Sequence, residues 1–236
     1  MNFIRQAVKH AFATMLPRDR FLVNGPVKHV RRHAGDRVEI ALTFDDGPHP
    51  EWTPAVLEAL SDAGWKGTFF IIGERAERYP ELVQRIVDEG HALGNHTYTH
   101  SPPATISAPA FLDEVCCTRQ LIERLTGTTT RLMRPPLGKL TWGKLCGLWN
   151  QQQSIILWNV DPKDFAMSDE WHAREWTASY APGPGDVVLL HDRLPYASMI
   201  VRTLANHYGD AIRAVAISDW MLPVQKVQTK LEASHR

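Results

Sequence analysis

The chain has 236 residues, with 26 lysines and arginines against 26 aspartates and glutamates, so its formal net charge is 0. This balance argues against a nucleic-acid-binding protein or a receptor for an anionic polymer. The hydrophobic content of 44 % suffices for one sizeable core, and no apolar run reaches the roughly 18 residues of a membrane-spanning helix.

The N-terminus carries apolar residues at helical spacing, from Phe3 to Met15. The pattern predicts an amphipathic helix that packs on the domain's own surface, and the alternative is peripheral membrane contact through this helix. Arg5 and Lys9 interrupt the apolar residues, so no hydrophobic region of a secretory signal forms and we expect a cytoplasmic protein. We assign residues 1–36 to an N-terminal helical extension.

From residue 37 onward, strand-like runs alternate with helical stretches. The predicted strands are 38–44, 67–72, 91–95, 131–134, 154–160, 186–191 and 213–217. The predicted helices lie near 53–63, 75–89, 109–126, 141–152, 168–180 and 196–208. Continuous apolar strands bounded by helices are typical of a parallel sheet covered on both faces. The count predicts an α/β fold, a distorted (β/α) barrel of about seven parallel strands forming a single domain over 37–218, with a C-terminal tail over 219–236.

The three cysteines fall in two of these helices. Cys116 and Cys117 are adjacent, and Cys146 lies in the next helix. An odd number with this spacing matches neither a disulfide framework nor a thiolate metal site. We interpret them as small buried or half-buried side chains.

Polar residues with catalytic potential follow several predicted strands directly. Because the carboxyl ends of parallel barrel strands meet at one rim, residues far apart in the chain should converge there. Asp45 and Asp46 are adjacent carboxylates that repel each other unless a cation or a shared proton relieves them, although Asp-Gly-Pro is also common turn chemistry. His96 and His100 could be unrelated surface histidines, but with one carboxylate they form a three-ligand site that leaves a position for water, as catalytic zinc sites do.

Two further residues at strand ends carry charge or a proton. Arg134 precedes two prolines that hold the chain extended. Its guanidinium is either solvated or holds a carboxylate in place through forked, charge-assisted hydrogen bonds. His191 ends an apolar strand and is either a core histidine or a proton carrier at the barrel mouth.

Five short motifs follow the strands. They are T-F-D-D-G-P at 43–48, H-T-Y-T-H at 96–100, R-P-P-L-G at 134–138, D-P-K-D-F at 161–165 and L-L-H at 189–191. In this order they resemble the polysaccharide deacetylase family, carbohydrate esterases that share the NodB homology domain, over about 37–217. The resemblance implies a distorted parallel barrel and a hydrolase that removes an acyl group from the nitrogen of an amino sugar.

The resemblance also implies a metal site and a base. Asp46, His96 and His100 would bind one divalent ion, for which zinc is preferred, and cobalt, nickel and iron are alternatives. Asp45 would be the general base, and Arg134 would hold it in place.

An acid and a substrate pocket follow from the same resemblance. His191 would be the general acid, Asp164 would tune it, and Leu189 would line the pocket for the acyl methyl group. Two positions near the bound sugar depart from the family pattern: Leu137 stands where an aromatic residue is usual, and Phe165 where tryptophan is usual. Neither departure removes a catalytic group, so the chemistry is retained and the substrate preference is left open.

The implied substrate is an N-acylated amino sugar in a poly- or oligosaccharide or in a lipid-linked glycan precursor, and no nucleic-acid partner is expected. One alternative is a deformylase or amidase acting on a lipid-linked formamido sugar or a cyclic amide, and the basic N-terminal helix mildly favours a lipid-linked substrate. The other is a catalytically inactive glycan-binding protein. Such a protein should have lost a metal ligand or the base, and here all of these residues are present.

Overall fold

The computed structural model describes residues 21–22 and 37–221, where strands and helices alternate along the chain. The strands are β1 (Phe21–Leu22), β2 (Val38–Asp45), β3 (Gly67–Ile71), β4 (Ala92–Asn95), β5 (Leu132–Met133), β6 (Ser154–Ile156), β7 (Val187–His191) and β8 (Ile212–Ala214). The helices are α1 (Trp52–Ala63), α2 (Gly73–Arg78), α3 (Pro80–Asp88), α4 (Ala108–Thr126), α5 (Trp142–Asn150), α6 (Glu170–Ser179), α7 (Tyr196–Tyr208) and α8 (Ile217–Trp220). No helix in the described part of the chain combines the length and the apolar character needed to span a bilayer.

Every strand pair is parallel, and the sheet order is β1-β6-β5-β4-β3-β2-β7, with β8 paired to the beginning of β2. The segment after β6 returns to the opposite edge of the sheet: the Val160 N–H donates to the Val187 carbonyl at 3.2 Å, and the Leu189 N–H donates to the Val160 carbonyl at 2.9 Å. These bonds curl the sheet on itself, which confirms the predicted distorted barrel of parallel strands.

The core is continuous around β2, whose residues after Val38 are all buried. Phe44 on β2 stacks on Phe69 of β3 with ring centroids 4.8 Å apart, and buried side chains of α1 and α7 complete the same cluster. Full burial of each such side chain contributes about 1.5–3 kcal/mol. This packing therefore holds in place the strand that ends in Asp45.

The helix ends follow local sequence signals. The Ser107 side chain accepts a hydrogen bond from the Ala110 N–H at the start of α4, as an N-cap serine should. Both α1 and α4 end at a glycine with left-handed backbone, Gly64 (φ 64°) and Gly127 (φ 66°), where residues with a Cβ are disfavoured.

Several details differ from the prediction. Cys117 and Cys146 are exposed rather than buried or half-buried, and Ile217, predicted in a strand, begins α8.

The helix expected over 75–89 is two helices that meet at Tyr79, whose φ of −130° and ψ of 58° are not helical, because the following Pro80 disfavours the helical conformation in the residue before it. Phe21 and Leu22, assigned to the helical extension, form a strand that pairs with β6. The rest of 1–36, including the predicted amphipathic helix, and residues 222–236 lie outside the described residues, so the domain boundaries stay predictions.

Candidate metal centre and active site

The carboxyl ends of the strands bring distant residues together at one rim. Asp45 and His191 end β2 and β7 and are paired in the ladder. The Arg134 N–H, at the end of β5, donates to the carbonyl of Asn95, the last residue of β4, at 2.9 Å. The loops that begin with Asp46, His96 and Arg134 therefore start side by side.

Asp46, His96 and His100 form the candidate metal centre. One ligand atom from each residue lies within 4.8 Å of the other two. Asp46 Oδ1 is 3.4 Å from His96 Nε2 and 3.3 Å from His100 Nε2. Asp46 and His96 are buried, whereas His100 is half-buried at the open side of the cluster.

The chemistry of these donors fits a divalent ion. Asp46 Oδ1 is buried and receives no hydrogen bond from the described residues, which is costly for a carboxylate without a cation nearby. His96 Nδ1 lies 2.7 Å from the Arg134 carbonyl, and since a carbonyl only accepts, Nδ1 carries the proton and Nε2 presents its lone pair to the cluster. Two imidazoles and one carboxylate are a donor set that zinc accepts.

Electrostatics within the cluster favour an ionised Asp46. Burial raises the pKa of this carboxyl. The neighbouring imidazoles, His96 foremost, together lower it by more than burial raises it, so the net pKa is well below the usual value. Burial lowers the pKa of the His100 imidazole. An ionised carboxylate and a neutral imidazole are the forms that bind a metal.

Asp45 lies beside the cluster and is held by Arg134. The guanidinium donates from Nη1 to Asp45 Oδ1 at 2.6 Å and to Thr43 Oγ1 at 2.8 Å, and from Nε to the Ile156 carbonyl at 3.1 Å. Arg134 is fully buried, so its charge is compensated by Asp45 rather than by water. Asp45 Oδ2 faces the cluster, 3.7 Å from His96 Nε2.

His191 and Asp164 make a second hydrogen-bonded pair across the rim. His191 Nδ1 lies 2.6 Å from Asp164 Oδ1, and the His191 N–H donates to Asp164 Oδ2 at 2.7 Å. Burial lowers the pKa of the imidazole, but the hydrogen bond and charge of Asp164, with smaller contributions from Asp45 and Asp46, raise it above its usual value. The pair therefore favours a protonated imidazole.

The loops that carry these groups adopt backbone conformations that are rare for residues with a Cβ. Apart from Gln152, the described non-glycine residues with positive φ lie in the loops after β2, β4, β5 and β6: Asp46 (71°), Thr97 (67°), His100 (57°), Leu137 (57°) and Lys163 (57°). Such strain concentrates where surrounding contacts impose a particular side-chain placement. Two of these residues belong to the candidate metal centre.

Glu114 on α4 fixes the loop between the two histidines, and sequence reasoning missed it. Its carboxylate accepts from the Tyr98 N–H at 3.2 Å, the Thr99 N–H at 3.1 Å and Thr99 Oγ1 at 2.7 Å. No local pattern predicts this contact, because Glu114 is one of several acidic residues on a helix far from the strand ends.

Arg193 was also missed. Its Nε donates to Asp46 Oδ2 at 2.7 Å, and its side chain is 37 % exposed. The residue lies two positions after His191 and hence on the same rim, which is the signal that could have identified it.

Of the predicted substrate residues, Phe165 contacts the acid pair directly. The Phe165 ring meets the His191 ring edge-on with centroids 5.7 Å apart and is 52 % exposed. Leu137 is 58 % exposed on the loop after β5, whereas Leu189 is buried within β7. Their contacts with a substrate stay predictions.

Several known proteins similar to this chain are deacetylases by name. The family model described as polysaccharide deacetylase matches residues 32–145. A peptidoglycan-N-acetylglucosamine deacetylase of Bacillus cereus is 39 % identical over 130 residues, which cover 55 % of this chain and 47 % of that protein. A chitooligosaccharide deacetylase of a Bradyrhizobium species is 34 % identical over 195 residues, covering 81 % of this chain and 89 % of the relative.

A solved structure extends the similarity to the fold. The peptidoglycan deacetylase PdaC of Bacillus subtilis superimposes with a TM-score of 0.73 at 28 % identity, over 85 % of this chain and 96 % of the solved chain. The chain spans 37 % of the full length of the PdaC protein and about half of the length of the Bacillus cereus relative. Together with the near full-length match to the Bradyrhizobium protein, these similarities establish that the chain belongs to the polysaccharide deacetylase family.

Proposed function

We propose that this protein is a metal-dependent N-deacetylase that hydrolyses the N-acetyl group of an amino sugar in a poly- or oligosaccharide. The observation that carries the proposal is the arrangement at the rim. A three-ligand cluster shares the rim with a carboxylate held by arginine, Asp45–Arg134, and with an imidazole held by a carboxylate, His191–Asp164. Amide hydrolysis needs these three components, because the carbonyl is a weak electrophile and the amine a poor leaving group.

The cluster supports the choice of metal. Asp46, His96 and His100 would hold the ion, with zinc preferred on the chemistry of the donors. When bound, a divalent ion supplies a Lewis acid that polarises an acyl carbonyl and lowers the pKa of water.

Asp45 serves as the general base in this proposal. Arg134 occupies Oδ1, so Oδ2 is the oxygen that takes a proton from the water as its oxygen attacks the acyl carbon. The first backbone donor after Arg134 is the Leu137 N–H, because prolines occupy both intervening positions. That N–H is our candidate for stabilising the negative charge that develops on the carbonyl oxygen.

His191 serves as the general acid. Its Nδ1 proton is committed to Asp164, which leaves Nε2 to donate a proton to the sugar nitrogen as the C–N bond breaks. The products are acetate and a free amine. The raised pKa of His191 keeps a proton available near neutral pH, while Asp45 is paired with a buried guanidinium.

Exposed apolar side chains on the segments after β5 and β6 support a carbohydrate substrate. Among the described residues, the exposed large hydrophobic side chains are Leu137, Trp142, Phe165 and Trp171. All four lie on the segments that follow the neighbouring strands β5 and β6. Exposed aromatic rings offer flat apolar faces to sugar rings, and the relatives act on peptidoglycan and on chitooligosaccharides according to their names.

A substrate panel tests the proposal. We expect zinc-reconstituted protein to release acetate and amine in equal amounts from N-acetylglucosamine oligomers or peptidoglycan fragments, and chelated protein to release neither. Release confined to N-formyl sugars or cyclic amides would replace the proposal with a deformylase or amidase. Glycan binding without turnover in zinc-replete protein would show an inactive binding protein instead.

A further inference from the structure

Arg193 makes a contact that the proposed reaction does not use. Its Nε donates to Asp46 Oδ2 at 2.7 Å, across 147 positions of the chain. The other carboxylate oxygen, Oδ1, faces the imidazoles of His96 and His100. The two oxygens of Asp46 therefore have separate surroundings, one a guanidinium and the other the metal cluster.

Asp45, the preceding carboxylate, likewise has one oxygen bonded to a guanidinium, that of Arg134, and the other facing the cluster. Without a partner on Oδ2, the Asp46 carboxylate could rotate about its Cβ–Cγ bond and lose the alignment of Oδ1 with the two imidazoles. We propose that Arg193 is a positioning residue that fixes the Asp46 carboxylate with Oδ1 toward the metal cluster, an inference that rests on the proposed function.

Two opposing effects decide what removal of Arg193 would do. Its positive charge repels a cation, so removing the charge strengthens metal binding. The side chain is 37 % exposed, and screening limits such a charge effect to about fivefold at most. Loss of an outer partner that orients a ligand typically weakens metal binding by about 10–100-fold. Orientation therefore outweighs repulsion, and the net effect of removing Arg193 is weaker binding.

Two substitutions of similar shape separate these effects. Glutamine bonds its Nε2 to Cδ, where arginine bonds its Nε, so Arg193→Gln retains a donor at that position without the charge. Arg193→Met fills the same position with a methyl group and removes both. Zinc affinity, measured by competition with a chromophoric chelator, should fall about 10–100-fold in Arg193→Met and stay within about fivefold of the unmodified protein in Arg193→Gln.

A matched control is Arg202→Met. Arg202 on α7 pairs with Asp62 of α1 at the surface, and both side chains are about half exposed or more, so this variant should bind zinc as the unmodified protein does. The visible spectrum of the cobalt-substituted protein gives a second readout, because a freed Oδ2 that joins the coordination changes band positions and intensities. We expect such a change in Arg193→Met and not in Arg193→Gln.

Other outcomes would overturn the inference. Tighter zinc binding in both Arg193 variants means that charge repulsion, not orientation, is the main effect of Arg193. Equal weakening in both variants means that the donor at Nε is not what matters. If the unmodified protein itself fails to bind zinc, the metal part of the proposed function fails together with the inference, whereas normal binding in all variants removes the inference alone.

Discussion

The two halves of the candidate site are built in different ways. The metal half stands on loops with left-handed backbone at Asp46, Thr97 and His100, and contacts from α4 and from the loop after β7 hold it. The acid half has left-handed backbone at Lys163, the residue before Asp164, and its imidazole, His191, ends a regular strand and pairs with Asp164. The difference indicates that the metal half relies on preorganised geometry and the acid half on a shifted proton equilibrium. Each can therefore be disrupted without the other.

The largest expected effect comes from removing a metal ligand. His96→Ala deletes a buried imidazole of the cluster, so we expect purified protein to lose bound zinc and activity to fall to background. Metal analysis and acetate release measure this. His172→Ala, which removes a surface histidine paired with Asp169, is the control. Unchanged metal content in His96→Ala would refute the ligand assignment.

The second expected effect separates the base from the metal. Asp45→Asn keeps the shape of the side chain but cannot take a proton, so turnover should fall by at least ~100-fold. Bound zinc should be retained, since Asp45 is not part of the ligand cluster. Steady-state kinetics with metal analysis tests both statements. Loss of zinc along with activity would mean that Asp45 is itself a ligand.

A substitution in the acid half should change the pH dependence of activity and leave metal binding unchanged. Asp164→Asn removes the charge that raises the pKa of His191 and leaves the effect of burial, which lowers it. The protonated imidazole is then lost at a lower pH, so the alkaline limb of the kcat profile should move to lower pH while zinc affinity is unchanged.

Asp161→Asn is the matched control for this measurement. Asp161 is an exposed carboxylate in the same loop and accepts a hydrogen bond from the Lys163 N–H at 2.9 Å. Its substitution should leave the pH profile unchanged. An alkaline limb that stays in place, or moves upward, in Asp164→Asn would contradict the proposed role of Asp164.

The smallest expected effect comes from Glu114, which holds the loop between His96 and His100. Glu114→Ala removes the acceptor of the Tyr98 and Thr99 backbone donors, and water can replace it in part because the site is accessible. We expect zinc affinity to fall by about 10-fold, the lower end for an outer partner, with little change in kcat at saturating zinc.

Glu123→Ala controls for loss of a glutamate from the same helix. Glu123 accepts from Thr129 Oγ1 at 3.2 Å at the far end of α4. Chelator competition should show normal zinc affinity in this variant. Equal affinities in the Glu114 and Glu123 variants would show that the loop holds the two histidines without help from α4.

Much of this protein was predictable from local sequence. Hydrophobic runs predicted the strands from β2 to β8, and helical spacing predicted the helices between them, because both signals come from residues close in the chain. The motifs placed Asp46, His96 and His100 at strand ends, and parallel strands bring their carboxyl ends to one rim. The candidate metal centre therefore follows from the motifs, the family resemblance that they carry, and the topology together.

Tertiary structure decided the rest. Strand β1 forms because the backbone of Phe21 and Leu22 pairs with β6. The sequence could not predict this strand, because two residues are too few to show a hydrophobic periodicity. The contacts of Glu114 and Arg193 join side chains to loops at other places in the fold. An acidic or basic side chain contacts either solvent or a residue of the candidate site. Which of the two it contacts depends on its distance from residues that are remote in the sequence. Sequence alone thus predicted which residues would carry the proposed chemistry, and the folded chain determined which residues hold them in place.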